Sequence, residues 1–262
     1  QGRCPGAGGA LGVHAEHGCL VVVEVAAVPA LSDNYIWLLH DVDAGHTAVV
    51  DPGDGEAALA GAKDRGWRID QVLITHWHPD HTAGIPAVVA ATGARVWGPE
   101  AERDRFAGLD HGLAEGDRVA VGSLEAEVWG VPGHTLGHIA FVLPSAGLAF
   151  VGDTLFAGGC GRLFEGTPEQ MHASLQRLGT LPDETIVYPA HEYTLSNYRF
   201  LAAQAPGDQA VAARLAEVER LRAEGRPTLP TTIGQERASN LFLQAETAAG
   251  FAALRAAKDS FR

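Results

Sequence analysis

The sequence predicts an α+β fold in which many short strands precede a helical C-terminal segment. Short apolar and β-branched runs, bounded by Gly, Asp and Pro, recur from Leu20 onward and are typical of strands. Amphipathic stretches that close on glycine separate the early strands, and after His191 the pattern becomes helical. A length of 262 residues allows one large domain, or a medium domain and a small one.

Strands dominate the first three quarters of the chain. The early strands are LVVVEV (20–25), YIWLL (35–39), TAVVD (47–51) and QVLIT (71–75). The helices between them are EAALAGAKDRG (56–66) and GIPAVVAATG (84–93). The later strands have little helix between them and are VAVG (119–122), EAEVWGV (125–131), IAFVLP (139–144), GLAFVGD (147–153) and TIVYPAH (185–191).

Three further helices are expected, and the first has a clear start signal. TPEQMHASLQRL (167–178) opens with Thr167, Pro168 and Gln170, the pattern of a capping box with proline at the first helical position. The other two helices, 208–225 and 247–261, are separated by the proline-bearing linker RPTLPTT.

The chain is expected to have three parts. Residues 1–18 are small, polar and aperiodic and lack the apolar region of a signal peptide, so we expect a disordered extension. An αβ domain over residues 19–191 and a helical domain over residues 192–262 are expected to follow.

Charge and cysteine content limit the possible partners and location. The net charge of −13 opposes binding to phosphate backbones, so we expect no nucleic-acid partner. No apolar run reaches the length of a membrane span, and nothing in the sequence requires more than a monomer. Cys4, Cys19 and Cys160 are an odd number without a Cys-x-x-Cys motif, which favours a cytoplasmic location.

The stretch THWHPDH (75–81) concentrates ligand-type side chains directly after a predicted strand. Pro79 favours a loop there rather than a helix. His76 and His78 can converge on one ion, while Asp80 and His81 can point to a second one nearby. Without an ion, these costly polar groups would be left unsatisfied or would repel one another. Nitrogen and carboxylate ligands suit zinc, iron or manganese.

Three other predicted strand ends each carry one ligand-type residue. His134 follows the strand EAEVWGV, Asp153 ends GLAFVGD and His191 ends TIVYPAH. Functional side chains gather at strand ends in αβ folds. We therefore expect these residues to join the THWHPDH cluster.

These motifs resemble those of the metallo-β-lactamase superfamily, since GHT, GDT and the late histidine complete its ligand set in order after THWHPDH. The resemblance begins at about Leu20 and covers nearly the whole chain. It implies a four-layer αββα sandwich with a two-metal site at its edge. It also implies that the first metal is bound by His76, His78 and His134, the second by Asp80, His81 and His191, and that Asp153 bridges both. Zinc is the expected metal, with iron or manganese as alternatives.

Such a site predicts metal-assisted hydrolysis. Two divalent ions can share one water and lower its pKa toward about 7, which gives a bridging hydroxide nucleophile at neutral pH. Asp80 is a candidate to orient that hydroxide besides ligating a metal. The metal site alone leaves β-lactams, lactones, phosphodiesters and thioesters open as substrates.

The rest of the chain resembles glyoxalase II, the hydroxyacylglutathione hydrolases. The similar segments are PALSDNYIWLL (29–39), AGGCGRLFEGTPEQM (157–171), HEYTLSN (191–197) and RAAKDSF (255–261). The resemblance implies hydrolysis of S-D-lactoylglutathione to D-lactate and glutathione, the second step of methylglyoxal detoxification, with residues 192–262 as the substrate-binding domain. A thiolate leaving group needs no dedicated acid, which also favours a thioester.

The same resemblance implies the substrate contacts. Arg255 and Lys258, three apart on one predicted helix face, would bind the glycine carboxylate of glutathione. Arg162 would contact the substrate near the metals, and Tyr193 would lie beside the glutathione chain. The sequence departs from some family members, which carry lysine in place of Arg162 and tyrosine in place of Phe164.

Three alternative functions are weighed against this one. A persulfide dioxygenase of the same superfamily would hold a single iron, but the C-terminal helices and the pair Arg255 and Lys258 oppose it. The charge of −13 opposes a nucleic-acid phosphodiesterase. The full ligand set opposes a non-catalytic metal-binding protein.

Overall fold

The computed structural model describes residues 10–14 and 20–261. In these residues the backbone forms a seven-stranded sheet, a six-stranded sheet and a two-stranded hairpin, together with helices. Among the described helices, none has both the length and the apolar character needed to cross a bilayer. The chain divides into two compact units, of which the first runs to Trp129 and includes Ile139–Phe150, and the second contains Gly130–His138 and continues from Val151.

The strands of the seven-stranded sheet lie side by side in chain order, and all belong to the first unit. They are β1 (Ala10–His14), β2 (Leu20–Ala30), β3 (Asn34–Asp41), β4 (His46–Val50), β5 (Ile69–Leu73), β6 (Arg95–Pro99) and β7 (His111–Leu113). Neighbours from β1 to β4 are antiparallel, and neighbours from β4 to β7 are parallel. The first two parallel connections need helical crossovers. They contain α1 (Gly55–Lys63), the short α2 (Pro79–Thr82) and α3 (Ile85–Thr92).

The core of this unit lies between the sheet and helices α1 and α3. Ala58 and Ala62 of α1 and Val88 of α3 pack against strand residues such as Val49 and Val72, and all five are buried. Small residues on α1 allow the helix to approach the sheet closely. This packing fixes the ends of β4 and β5, from which the ligand-type side chains extend.

Four further strands follow, which are β8 (Arg118–Val121), β9 (Leu124–Gly130), β10 (Ile139–Leu143) and β11 (Leu148–Gly152), and β8 pairs antiparallel with β9 as β10 does with β11. The turn between β8 and β9 is held by the buried Asp41 of β3. Its Oδ2 accepts hydrogen bonds from the backbone N of Ser123 at 2.7 Å and from the Ser123 hydroxyl at 2.6 Å. Burial alone would raise the pKa of Asp41, but these hydrogen bonds and that from Ala44 hold the pKa below its usual value.

The second unit is mainly helical. Its strands are β12 (Leu155–Phe156), β13 (Gly159–Cys160), β14 (Ile186–Pro189) and β15 (Thr231–Thr232). Its helices are α4 (Pro168–Leu178), α5 (Thr194–Gln204), α6 (Gln209–Ala223), α7 (Ile233–Ser239), α8 (Leu241–Gln244) and α9 (Ala248–Ser260). The core contains the stacked or edge-on aromatic rings of Phe200, Phe242 and Phe251.

Most elements agree with the sequence predictions within a few residues, including the capping box between Thr167 and Gln170 at the start of α4. Within the extension expected to be disordered, Ala10–His14 instead forms the edge strand β1, which pairs antiparallel with β2. The remaining residues of that extension lie outside the described part of the chain. The loop expected at Pro79 is also wrong, since proline occupies the first position of α2, where its missing N–H costs nothing. The boundary at residue 191 falls inside the second unit and stays a prediction.

Candidate metal centre and substrate site

The THWHPDH segment gathers its donor atoms where β5 ends. Buried His76 places Nε2 at 3.0 Å from Nδ1 of His78, the residue that precedes α2. Asp80 and His81 lie within α2, and Nε2 of His81 is 3.4 Å from Oδ2 of Asp80. The short helix therefore turns Asp80 and His81 toward the same side.

A second carboxylate, which the sequence analysis missed, orients this cluster. Asp51 follows β4 with a φ of 50°, a left-handed conformation that aspartate tolerates better than most residues. Its carboxylate accepts hydrogen bonds from the Thr75 backbone N at 2.8 Å and the Thr75 hydroxyl at 2.7 Å. Nδ1 of His81 lies 3.1 Å from Oδ2 of the same carboxylate. Asp51, His76 and His81 offer ligand atoms within 4.8 Å of one another, but the Asp51 carboxylate already accepts two hydrogen bonds from Thr75 and faces Nδ1 of His81, which favours an orienting role over direct ligation.

Asp80 is held from two directions. The amide nitrogen of Asn34 lies 3.1 Å from Oδ2 of Asp80 and 3.3 Å from its backbone oxygen. On the other side, Gly53 packs so tightly that a Cβ atom there would lie 1.7 Å from the Asp80 carbonyl oxygen. Glycine at position 53 is thus required for the close approach of the two backbones.

The second unit contributes a separate group of donors around Asp153, which follows β11. Its Oδ2 lies 3.3 Å from Nε2 of His134, and its Oδ1 lies 3.3 Å from Nε2 of His191. All three side chains are buried. Three separate strand ends thus bring His134, Asp153 and His191 together within this unit.

Backbone and side-chain partners fix these ligands in turn. Nδ1 of His134 lies 2.8 Å from the carbonyl oxygen of Arg162, so this nitrogen is the donor. The backbone N of Asp153 donates to Nε2 of the buried His138 at 3.1 Å. His138, the second histidine of the segment GHTLGH (133–138), is a site residue that the sequence analysis missed. Its only sequence signal was its place in that motif.

Both groups of donors have the chemistry of metal ligands. Because Nδ1 of His134 donates to a carbonyl, the neutral ring directs the lone pair of Nε2 toward a carboxylate oxygen of Asp153. The same holds for His81, whose Nδ1 faces Asp51 and whose Nε2 faces Asp80. Two acceptors facing each other repel unless a cation lies between them or the ring is protonated. These residues therefore fit divalent ions, with the donor types that zinc, iron and manganese accept.

The predicted substrate-binding residues all lie in the second unit. Arg255 and Lys258 extend from α9, where Arg255 is buried and donates from Nη1 to the carbonyl oxygen of Cys160 at 2.9 Å. Lys258 donates to the backbone oxygen of Ser196 at 3.0 Å and to its hydroxyl at 2.9 Å. Both cations are thus built into the unit, unlike side chains of a simple solvated helix face.

Tyr193 and Arg162 are the more exposed members of this set. The Tyr193 ring stacks on His191 with centroids 4.7 Å apart and nearly parallel planes. The Arg162 side chain is exposed, while its carbonyl group orients His134. Phe164 is 63% exposed and packs edge-on against His134 with ring centroids 5.2 Å apart, so it is available to a ligand.

Cys160 is a buried free thiol at the end of the β12–β13 hairpin. Burial raises the pKa of Cys160 to about 11, and the opposing effect of Arg255 is smaller. A thiol with this pKa is not a nucleophile at neutral pH. The structure thus supports a packing role for this cysteine.

Comparison with known proteins identifies the family. A family model for the metallo-beta-lactamase superfamily matches residues 30–191, and one for the hydroxyacylglutathione hydrolase C-terminus matches residues 192–261. A hydroxyacylglutathione hydrolase from Erythrobacter litoralis (strain HTCC2594) is 46% identical, and the match covers 92% of this chain and 100% of that protein. The chain belongs to the hydroxyacylglutathione hydrolases. Another hydroxyacylglutathione hydrolase, from Ectopseudomonas mendocina (strain ymp), is 49% identical, with coverage of 92% and 100%.

A solved structure agrees with this assignment at the level of the fold. ETHE1 from Myxococcus xanthus has a TM-score of 0.66 and 27% sequence identity, and the alignment covers 86% of both chains. This neighbour is more distant in sequence than the two hydroxyacylglutathione hydrolases. The predicted metallo-β-lactamase fold, the helical C-terminal region and the assignment as a hydrolase are therefore confirmed. The superfamily match and the donor groups together support the binding of divalent metal.

Proposed function

We propose that this hydrolase cleaves S-D-lactoylglutathione and related 2-hydroxyacylglutathiones to the hydroxy acid and glutathione. The observation that carries the proposal is the match to hydroxyacylglutathione hydrolases over 92% of the chain, which includes the helical C-terminal segment with Arg255 and Lys258. The reaction is the second step of methylglyoxal detoxification. A cytoplasmic location is part of the proposal and rests on the sparse cysteines, of which Cys160 is a free thiol.

The proposed metal ligands come from both donor groups. The first metal is assigned to His76, His78 and His134, the second to Asp80, His81 and His191, and Asp153 is assigned as the bridging ligand. The imidazole lone pairs that face carboxylates at His81 and His134 support this assignment. Zinc is the proposed metal, because imidazole and carboxylate are among its usual ligands, and iron or manganese would suit the same donors.

Two divalent ions held by these residues would supply a hydroxide nucleophile at neutral pH and would polarise the thioester carbonyl. The residues of this chain add orientation. Asp80, held by Asn34, presents a fixed carboxylate to which the attacking oxygen can donate a hydrogen bond. Asp51 keeps His81 in one tautomer and one ring orientation.

Substrate binding is assigned to the cations of the second unit. Arg255 and Lys258 are proposed to bind the glycine carboxylate of glutathione, since an acidic protein with a net charge of −13 needs a local cationic site for an anionic substrate. Arg162 and Tyr193 are proposed to contact the glutathione chain. The thiol of glutathione then leaves as a thiolate, and no acidic side chain has to protonate it.

The decisive experiment measures hydrolysis of S-D-lactoylglutathione by the loss of its thioester absorbance, together with the metal bound per chain. We expect activity that disappears after treatment with a chelator and returns with zinc, iron or manganese. His134→Asn should lose both metal and activity, whereas His172→Asn, on α4, should keep both because its Nε2 donates to the Ala245 carbonyl oxygen at 2.7 Å and it is not a proposed ligand. Protein that holds two metals per chain and leaves the thioester intact would contradict the proposal.

A persulfide dioxygenase remains the alternative that the same preparation tests. It predicts one iron per chain and oxygen uptake with glutathione persulfide. Two metals per chain with thioester hydrolysis and without oxygen uptake would exclude it.

A further inference from the structure

Asp259, near the end of α9, lies among the cations of the second unit. Its Oδ1 accepts hydrogen bonds from Nη2 of Arg255 at 2.8 Å and from Nε at 3.2 Å. The same oxygen is 3.8 Å from Nε of Arg162. Lys258 is its neighbour in sequence. One carboxylate of this chain thus neutralises part of the charge that the proposed substrate carboxylate would meet.

Arg255 does not depend on Asp259 for its position. Its Nη1 donates to the carbonyl oxygen of Cys160 at 2.9 Å, and its guanidinium carbon lies 5.3 Å from the centre of the Phe242 ring. The Arg255 side chain is 7% exposed, whereas that of Asp259 is 44% exposed. Asp259 can therefore move or be replaced by a ligand while Arg255 stays in place.

We infer that Asp259 is a resident carboxylate that competes with the glycine carboxylate of glutathione for Arg255 and so weakens substrate binding. The inference rests on the proposed function, because it needs Arg255 as the substrate's partner. Three nitrogens of Arg255 already donate to Asp259 and Cys160, so an incoming carboxylate has to share or replace the contact with Asp259. Asp259 would thereby keep the affinity for glutathione low and favour release of that product.

The test compares wild type with Asp259→Asn. Asparagine keeps the size of the side chain and an oxygen that accepts from Arg255, but removes the negative charge. We expect about three- to tenfold tighter binding of glutathione, measured by isothermal titration calorimetry, and a similar fall in KM for the thioester. The gain should shrink at high salt. Asp259 also raises the pKa of Lys258, so its replacement could change the charge of this lysine. The assay is therefore run at about pH 6.5, well below the Lys258 pKa of about 8, where the lysine stays protonated.

Two controls separate this effect from general changes in charge or folding. Glu224→Gln removes a carboxylate that pairs with Arg220 at the same i,i+4 spacing and has the same 44% exposure. Glu224 caps the C-terminal end of α6, and its replacement should leave binding unchanged. Glutathione monoethyl ester, which lacks the glycine carboxylate, should bind wild type and Asp259→Asn with equal affinity. Thermal melting confirms that the variants are folded.

The outcomes distinguish the inference from the proposed function. Unchanged or weaker glutathione binding by Asp259→Asn overturns the inference even if wild type hydrolyses the thioester. An equal gain with the monoethyl ester overturns it as well, and so does the absence of glutathione binding in both proteins. Tighter glutathione binding by Asp259→Asn, together with no thioester hydrolysis by the metal-loaded wild type, supports the inference and rejects the proposed reaction.

Discussion

Nδ1 of His81 lies 3.1 Å from Oδ2 of Asp51, and both side chains are buried. Because the carboxylate accepts this hydrogen bond, the neutral imidazole carries its proton on Nδ1 and its lone pair on Nε2. Asp51 is itself fixed by two hydrogen bonds from Thr75. Asp51, which is not a proposed metal ligand, therefore determines the tautomer and ring orientation of His81, which is one.

Asp51→Asn is expected to weaken metal binding. The amide can turn an N–H toward His81 or Thr75 and so loses the uniform acceptor character of the carboxylate. Loss of such an orienting partner typically costs about 10- to 100-fold in metal affinity or activity. Competition with a chelator of known affinity measures the change. Asp41→Asn is the matched control, since it removes a buried carboxylate that holds the β8–β9 turn and the backbone N of Ala44. Metal affinity equal to wild type in Asp51→Asn would show that Asp51 does not orient His81 for metal binding.

Lys258 is expected to give substrate binding a pH dependence in the mildly alkaline range. Burial, followed by the positive charges of Arg255 and Arg162, lowers the pKa of Lys258 from the usual 10.5 to about 8, against the opposite effect of Asp259. Above this pKa the ammonium loses its proton and its attraction for the substrate carboxylate. We expect kcat/KM to fall about three- to tenfold from neutral pH to about pH 9.5.

Two conservative variants isolate this effect. Lys258→Arg should abolish the decline with pH, because a guanidinium keeps its charge in this range. Lys63→Arg, on the exposed face of α1, should keep the wild-type profile. If the decline persists unchanged in Lys258→Arg, another group causes it. The same pKa shift makes the unfolded chain bind more protons between pH 8 and 10.5, so this group raises the free energy of unfolding as the pH increases.

Cys160 is expected to be dispensable for catalysis. Burial raises the pKa of its thiol to about 11, so the thiolate is scarce at neutral pH. Cys160→Ala should retain activity within about threefold and lose some stability, because the side chain packs in the core. In a Cys4→Ser, Cys19→Ser background, Cys160 is the remaining cysteine, and iodoacetamide should label it only when the protein unfolds. Rapid labelling of the folded protein with parallel loss of activity would contradict this prediction.

The sequence was most informative where local chemistry determines the structure. The capping box at Thr167 is a local pattern, and it formed as expected. The donor types from His76 to His81 are also readable from the sequence, although their backbone conformation was not. The helix at Pro79 was missed because proline is unfavourable inside a helix but favourable at the first helical position. The sequence alone did not show that Pro79 occupies this first position. The strand Ala10–His14 was missed because the segment is short and aperiodic. It forms a strand by pairing with β2, and this pairing is not encoded in the segment itself.

The supporting residues of the site were harder to predict than the ligands. Asp51 and His138 act through hydrogen bonds to residues that are 24 to 30 and 15 positions away in the chain, respectively. Asp259 lies in the segment RAAKDSF, but its importance depends on contacts with Arg162 and Arg255 that need the folded chain. The identity of a ligand follows from side-chain chemistry, but the identity of its orienting partner follows from tertiary structure.

Glu236 is expected to hold the hairpin that carries Cys160. Its buried carboxylate accepts hydrogen bonds from the Gly158 backbone N at 2.8 Å, the Thr231 hydroxyl at 2.6 Å and the Asn240 amide at 2.9 Å. Glu236→Ala should lower the free energy of unfolding by about 2–4 kcal/mol, because three buried donors lose their acceptor. Urea denaturation measures this loss, and Glu246→Ala, at an exposed position before α9, should change stability by less than about 0.5 kcal/mol.

The direction of the pH effect distinguishes a buried carboxyl group from an ordinary ion pair. Burial raises the pKa of Glu236 above its usual 4.5, although its hydrogen bonds oppose this shift. The folded protein therefore holds this proton more tightly than the unfolded chain, and the group stabilises the fold most below pH 4.5 and progressively less as the pH rises through its folded pKa. Glutamine does not titrate, so Glu236→Gln is the reference. The free energy of unfolding of wild type minus that of Glu236→Gln should therefore decrease as the pH increases over this range. A gap that moves in the opposite direction would mean that the hydrogen bonds outweigh burial and that Glu236 is charged in the fold throughout.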